Sequence, residues 1–210
     1  EAILGAAEDA QLIVVGSRAV CQADCSGIGY KRAHAVININ GDLADALHYN
    51  KTVALVGDIG AVAGRLADKL EALKANGNKG PWLKACAAKK AEWSAYKQKR
   101  YACGPLRDEA WQKPVLTQPA AIKLVADFAK EIGAAKFFDA GDVQANGFQI
   151  VEDERTGDTF TEAGASYMGF AASALLGAAL AEKPRYGIAF CGDGSFMMNL
   201  QELATLAELG

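Results

Sequence analysis

The chain has 210 residues, of which 51% are hydrophobic, and 22 Lys and Arg against 25 Asp and Glu give a formal net charge of −3. This composition is typical of a globular chain and not of a disordered one, and the acidic balance argues against a nucleic-acid-binding surface. No hydrophobic run approaches the roughly 20 residues that span a bilayer, so we expect neither a membrane span nor a secretory leader.

Residues 1–76 alternate hydrophobic runs with helical periodicity, which predicts a parallel sheet flanked by helices. Each predicted strand ends at a glycine or a Gly-Asp pair, and the strands are Leu12–Val15, Ala35–Asn40 and Thr52–Val56. Hydrophobic residues at helical spacing follow between Gly60 and Leu73. The glycines Gly57 and Gly60 after the third strand are a weak nucleotide-binding signal, and we interpret them as helix-packing residues.

Residues 77–114 are predicted to link two domains. The segment Asn76–Pro81 interrupts the pattern with turn-forming residues. A helix is predicted from Trp82 to about Arg100, with an aromatic face, and we expect that face to pack on a domain while its lysines face water. The residues of this face are Trp82, Cys86, Trp93 and Tyr96. Tyr101 to Pro114 is interpreted as irregular linker.

Residues 115–210 are predicted to form a second α/β domain. Its predicted elements are a helix from the N-cap Thr117 to about Gly133, a strand at Lys136–Asp139, a charged loop from Glu152 to Asp158, a small-residue segment from Gly164 to Ala181, a strand at Tyr186–Cys191 and a helix at Asn199–Leu209. We therefore predict an α/β chain of two doubly wound, Rossmann-like parallel-sheet segments joined by a helical linker, both incomplete, in a piece of a longer protein.

The five cysteines, an odd number at irregular spacing, make a poor disulfide framework and favour a reducing, cytoplasmic setting. Cys21 and Cys25 could bind a metal, but no second ligand pair accompanies them, and the chain has only two histidines, His34 and His48. We interpret these cysteines as free thiols.

The most informative motif is the segment Gly192–Ser195, which follows the last predicted strand. Ligands of open α/β sheets bind at the carboxyl ends of the strands, and Asp193 stands there between two glycines. An aspartate is a ligand that Mg²⁺ prefers, and glycines let backbone amides approach phosphate oxygens. Asn199 and Glu202 have the spacing of a capping box, which predicts a helix beginning at Asn199. We expect a metal–phosphate site rather than an ordinary strand-to-helix turn.

Residues 192–205 closely resemble the metal–diphosphate motif of thiamine diphosphate enzymes of the acetolactate synthase and 2-oxo-acid decarboxylase type. The segment 164–170 looks like the part of that family that lies under the cofactor's central rings, and residues 139–144 resemble the loop near the diphosphate. The first segment, from Gln11 to the helix after Asp58, looks like the second half of the family's central domain.

The resemblance implies a residue-by-residue site. Asp193 would bind Mg²⁺, and Met168 would hold the cofactor in its bent form. The other implied cofactor contacts are Gly141, Gln144, Ser166 through its carbonyl, Tyr167, Gly192, Gly194 and Ser195. Tyr167 stands where the family usually has a small residue, which implies a narrower substrate pocket.

The resemblance also implies what the chain needs from elsewhere. The activating glutamate and the second metal ligand, an asparagine, are expected outside residues 1–210, so the chain by itself is expected to be inactive. FAD, which some relatives bind in the central domain, is not favoured because Asn38 and Asn40 replace acidic residues.

We therefore expect a thiamine diphosphate- and Mg²⁺-dependent lyase or transferase that acts on 2-oxo acids and assembles as a homodimer or homotetramer. Two alternatives stay open: a hydrolase of cyclic 1,2-diones with the same cofactor, and a non-catalytic nucleotide-binding α/β module.

Overall fold

The computed structural model describes residues 12–17, 33–47, 52–74, 79–162 and 164–209, and the chain divides into two compact units, residues 1–93 and 94–210. The pair Cys21 and Cys25 and also His48 lie outside the described residues. The division falls inside helix α3 (Gly80–Tyr101). The domain limits predicted from the sequence stay a prediction.

The first unit contains a parallel three-stranded sheet with the order β1-β2-β3. Its described elements are β1 (Leu12–Val15), β2 (Val36–Asn40), α1 (Leu43–Ala46), β3 (Thr52–Val56) and α2 (Ile59–Ala72). The β-branched residues that dominate these strands favour the extended backbone, so strand type was predictable here. Helix α1 was not predicted, and it forms because the Asp42 side chain accepts hydrogen bonds from the amides of Ala44 and Asp45.

Two buried asparagines on β2 fix the segments that surround it. The Asn38 side-chain amide donates to the carbonyl of Asp45 at 3.0 Å, and that of Asn40 donates to the carbonyl of Ser17 at 3.0 Å. The Asn40 side-chain oxygen also accepts from the amide of Asp42. Both side chains therefore have structural roles in this unit. At the end of β3, Asp58 caps α2 by accepting from the amide of Ala61 at 2.8 Å.

The second unit is built on another parallel sheet, with the order β7-β6-β8. Its described elements after α3 are β4 (Leu106–Arg107), β5 (Pro114–Val115), α4 (Gln118–Glu131), β6 (Ala135–Phe138), α5 (Asp142–Ile150), β7 (Thr159–Thr161), α6 (Phe170–Ala179), β8 (Gly187–Phe190), α7 (Asp193–Met198) and α8 (Glu202–Leu209). The predicted irregular linker contains the short antiparallel pair β4-β5, and β7 was not predicted.

Helices cover both faces of this second sheet. One face packs Phe138 and Phe190 against Ile122 and Ala126 of α4 and Ile150 of α5. On the opposite face, the buried Ala135 and Phe137 of β6 pack in one cluster with Ala171 of α6. The central strand β6 is buried along its whole length, and even Lys136 is enclosed, with its ammonium 3.0 Å from the Asp153 carboxylate. The predicted doubly wound α/β class is confirmed.

The predicted orientation of α3 is wrong for the described residues. Trp82, Trp93 and Tyr96 are 46%, 41% and 53% exposed, whereas Lys97 is buried. The cause is a set of polar contacts on the other side of the helix. Lys97 pairs with Glu152, and the Arg100 guanidinium donates to side-chain oxygens of α5, namely Gln149 at 2.8 Å and Asn146 at 2.7 Å.

Replacing Gly147 by alanine is expected to lower the free energy of unfolding by about 2 kcal/mol through overpacking. Gly147 lies on α5, and a Cβ there would meet the ring of Phe138 at 2.5 Å. That ring is fully buried and stacks on Phe190 with centroids 4.4 Å apart, so it has no free space to move into. Urea unfolding measures the change.

The matched control is Gly177→Ala on α6, where a Cβ would meet nothing within 4 Å in the part of the chain that the structure describes. This variant is expected to be as stable as the wild type or more stable, by up to about 1 kcal/mol, because alanine favours the helix. Equal effects of the two substitutions would contradict the close packing of α5 on β6.

Candidate functional site

Three polar segments follow the carboxyl ends of the three strands of the second sheet. They are residues 139–141 after β6, residues 162–169 after β7 and residues 192–195 after β8. Because all three strands are parallel, and Phe138 is in register with both Thr161 and Phe190, these segments lie at the same edge of the sheet. The structure thus brings together motifs that the sequence separates by as many as fifty residues.

Asp139 connects the first of these segments to the second. Its side chain is fully buried and accepts hydrogen bonds from the amides of Gly169 at 2.9 Å and Ala171 at 2.8 Å, besides that of Ala140 at 2.8 Å. The carboxylate therefore fixes the start of α6. Sequence reasoning did not select Asp139 as a functional residue, although an acid directly after a buried strand was a usable signal.

Gln144 on α5 forms hydrogen bonds with the end of β7 and with the second segment. Its amide nitrogen donates to the Thr161 hydroxyl at 2.6 Å and to the Glu162 carbonyl at 2.9 Å, and its oxygen accepts from the Ser166 hydroxyl at 3.2 Å. The helix that carries it begins at Gly141, whose φ of +86° favours glycine. Of these two predicted residues, Gln144 thus organises the loop that contains Ser166, whereas Gly141 starts the helix that carries Gln144.

Glu162 binds the loop that it precedes, and sequence reasoning missed it. Its carboxylate accepts from the amides of Gly164 at 2.8 Å, Ala165 at 2.9 Å and Ser166 at 2.5 Å. Hydrogen bonds from Ala165 first, then from Ser166, Gly164 and Tyr167, lower the pKa of this carboxyl, while burial opposes them. No spacing rule indicated this contact, because a carboxylate that binds the next few amides looks like any loop acid in a sequence.

Met168 reaches the segment after β8. Its terminal carbon would lie 3.2 Å from a Cβ placed on Gly194, so the predicted ring-supporting residue and the predicted diphosphate segment are neighbours. The side chain of Met168 is 45% exposed and that of Tyr167 is 53% exposed, with the Tyr167 ring edge-on to Phe170. Both side chains are therefore available to a ligand.

Residues 192–195 start a helix rather than form an isolated turn. Gly192 is the N-cap of α7, and helical hydrogen bonding begins with Phe196 donating to the Gly192 carbonyl at 2.9 Å. Asp193 is exposed and accepts from the amide of Gly194 at 2.8 Å, while Ser195 is 4% exposed.

The prediction that Asn199 begins the last helix is wrong. Asn199 ends α7, and α8 begins at Glu202. Its side-chain amide donates instead to the Gly169 carbonyl at 3.0 Å and to the Ser173 hydroxyl at 2.9 Å. These tertiary acceptors compete successfully with local capping. Gly169, at φ +95°, leaves room for this contact, since a Cβ would meet the Asn199 amide at 2.7 Å.

Cys191 directly precedes the segment 192–195, and its thiol is held in the protonated form. Burial, followed by the nearby negative charge of Asp139, raises the pKa of its thiol, so it stays protonated at neutral pH. Cys86, Cys103 and Cys191 are free thiols. Within the described ranges, no group of three or more His, Cys, Asp and Glu side chains is arranged to hold a metal, and none of the helices is long and apolar enough to cross a membrane.

The residues at this edge fit a diphosphate held through a cation. Among the described residues, a Cβ on Gly192 would meet nothing within 4 Å and one on Gly194 would meet the end of Met168, so the backbone is open to a ligand here. The exposed Asp193 carboxylate supplies an oxygen ligand of the kind that Mg²⁺ prefers. One carboxylate leaves most of the metal's coordination to the diphosphate, water and further groups.

The family comparison covers all three segments of this edge. Residues 139–210 match the family model described as "Thiamine pyrophosphate enzyme, C-terminal TPP binding domain". The acetolactate synthase isozyme 1 large subunit of Escherichia coli (strain K12) is 52% identical over 48 residues, which is 23% of this chain and 8% of that protein. The isozyme 2 large subunit of the same organism is 33% identical over 109 residues, 50% of this chain and 20% of that protein. The chain thus spans a fifth or less of these relatives.

Proposed function

We propose that the whole protein forms or cleaves carbon–carbon bonds of 2-oxo acids with thiamine diphosphate and Mg²⁺, on the premise that residues 139–210 match the C-terminal domain of the thiamine pyrophosphate enzymes. The relatives are acetolactate synthase subunits, which supports an acetolactate synthase-like lyase or transferase. The proposal includes a homodimer or homotetramer, a cytoplasmic location and no nucleic acid or membrane partner.

One observation carries this proposal, namely the approach of Met168 to Gly194. The two residues come from segments that follow β7 and β8, and each was assigned separately to a different part of the cofactor. Their proximity gives a ligand-accessible edge where a single molecule can touch a bulky hydrophobic side chain and a glycine backbone at once.

Each residue has a distinct part in the proposed site. Bound thiamine diphosphate would supply the electron sink for the reaction. The Asp193 carboxylate would bind Mg²⁺, the amides of Gly194 and Ser195 would donate to the diphosphate, and Gly192 would keep the approach open. In the structure the Gly194 amide donates to the Asp193 carboxylate. This hydrogen bond would have to break before the amide could donate to a diphosphate and the carboxylate could bind Mg²⁺.

The second segment would hold the rest of the cofactor. Met168 would support its central rings in the bent form, and the Ser166 carbonyl would accept a hydrogen bond from its aminopyrimidine, which is preorganisation of reacting groups. Gln144 would act through the Ser166 hydroxyl, Gly141 would let the chain turn into α5, and the exposed Tyr167 would border the substrate.

Titration calorimetry is expected to detect thiamine diphosphate binding only when Mg²⁺ is present, with EDTA abolishing it. Separate titrations with ADP and with FAD test the alternative of a nucleotide-binding module. FAD is not favoured, because the Asn38 and Asn40 side chains are engaged with backbone carbonyls. The whole protein that carries this chain is measured beside the 210-residue chain.

The rates at which the whole protein turns over pyruvate and, separately, a cyclic 1,2-dione then distinguish the proposed reaction from the dione hydrolase alternative. Heat from ADP or FAD in the absence of any response to thiamine diphosphate would contradict the proposal.

A further inference from the structure

The loop from Gly164 to Met168 adopts a conformation that its own sequence does not favour. Ser166 has a φ of +53°, in the left-handed region that a residue with a side chain rarely occupies. Such a conformation persists only when surrounding contacts over-determine it. Ser166 and Met168 are also the residues that the proposed function assigns to the cofactor's rings, so whatever fixes this loop fixes the site.

The loop is anchored at both ends by carboxylates. At its end, Asp139 accepts from the amides of Gly169 and Ala171, as described above. At its start, Glu162 accepts from three successive described amides, those of Gly164, Ala165 and Ser166. Successive backbone amides that converge in this way form a concave anion-binding nest, and here the chain itself supplies the anion.

The charge of Glu162 suits this role. The partners recorded for its carboxylate are the backbone amides of the following residues, and these hydrogen bonds lower its pKa, so it is ionised at neutral pH. Charge-assisted hydrogen bonds of this kind are stronger than neutral ones. Glu162 follows β7, whereas the proposed metal ligand Asp193 follows β8. The two acids therefore belong to different segments of the site.

We propose that Glu162 is a positioning residue of the cofactor site, whose carboxylate holds the amides of residues 164–166 and thereby sets the Ser166 carbonyl and the Met168 side chain for the cofactor's rings. The inference rests on the proposed function. It predicts that neutralising Glu162 impairs cofactor binding without removing any group that touches the cofactor.

The test compares Glu162→Gln with Glu162→Asp and with Glu182→Gln, an exposed acid that precedes β8 at the opposite edge of the sheet. Glutamine keeps the size but presents an NH₂ group to amide donors, so the Kd for thiamine diphosphate with Mg²⁺ is expected to rise about tenfold or more. Aspartate restores the charge and should recover part of the affinity. Glu182→Gln should bind as the wild type does. Calorimetry on the whole protein gives these constants.

Amide hydrogen exchange on the ligand-free chain, read residue by residue by NMR, gives a second measurement that needs no cofactor. In Glu162→Gln the amides of Gly164, Ala165 and Ser166 should lose protection, while those of β6 and β8 stay protected and the melting temperature is unchanged. A global loss of protection would show a merely structural role and would overturn the inference.

Unchanged exchange or unchanged affinity in Glu162→Gln, while the wild type binds the cofactor, would overturn this inference alone. Tighter binding by the variant would also overturn it, because the carboxylate would then be a competitor for the nest. A wild type that binds no thiamine diphosphate would overturn the proposed function and, with it, the positioning role.

Discussion

Replacing Asp193 by alanine is expected to abolish Mg²⁺-dependent binding of thiamine diphosphate. The side chain is exposed at the end of β8 and is the only acid of the segment 192–195. Its loss leaves the diphosphate with backbone donors but without the carboxylate that binds the cation, and Mg²⁺ depends on such oxygen ligands. Calorimetric titration with and without Mg²⁺ measures the effect on the whole protein.

The same substitution should leave the fold intact. The contact that the structure records for the Asp193 side chain is its bond to the neighbouring Gly194 amide, so the free energy of unfolding should change by less than about 1 kcal/mol. Asp193→Asn, which keeps an oxygen but removes the charge, should bind weakly. Asp127→Ala, an exposed acid of α4 that pairs with Lys123, is the control and should bind normally. Wild-type affinity in Asp193→Ala would refute the assignment of Asp193 to the metal.

Strands β1, β2, β3, β6 and β8 were predictable because they follow from short-range rules, whereas the short strand β7, which leads into the segment at Ser166, was not predicted. Runs such as Leu12–Val15 and Thr52–Val56 are strands in the structure with the predicted limits. Once the strands are parallel, their carboxyl ends must meet at one edge, which brings the segments at Asp139, Ser166 and Asp193 together.

The contacts that shape the site were not predictable from spacing. Asn199 has the sequence signature of an N-cap, yet its side chain bonds the carbonyl of Gly169, thirty residues earlier in the chain. Asp139 likewise binds amides thirty and thirty-two residues later. A side chain chooses among local and distant partners according to the folded geometry, so these pairings appear only when the sheet has assembled.

Helix α3 shows that residue spacing also fails to predict how a whole helix is oriented. Its aromatic periodicity predicted the buried face, but the ion pair of the buried Lys97 with the exposed Glu152 and the Arg100 contacts to α5 orient it differently. Periodicity measures where hydrophobic residues lie on a helix, whereas the orientation depends also on the specific polar partners that the rest of the unit offers.

Replacing Asp139 by alanine is expected to lower the free energy of unfolding by about 3–5 kcal/mol, more than any other substitution considered. The carboxylate is fully buried, and its removal leaves the amides of Gly169 and Ala171 without their acceptor. Each buried unsatisfied amide costs about 1–3 kcal/mol. Urea unfolding followed by circular dichroism measures the loss. Asp142→Ala, an exposed acid at the start of α5, should change stability by less than about 1 kcal/mol.

The variant Asp139→Asn separates the contribution of the Asp139 hydrogen bonds to stability from the contribution of its packing. Asparagine fills the same space but keeps only one acceptor oxygen, so it should recover the packing and part of the stability, with one amide still unpaired. The two ends of the loop then differ in kind: the buried Asp139 governs stability, whereas the half-buried Glu162 governs cofactor affinity at constant stability. If Asp139→Ala unfolds at the urea concentration of the wild type, α6 does not depend on this carboxylate, and the anchoring of the loop at its far end is wrong.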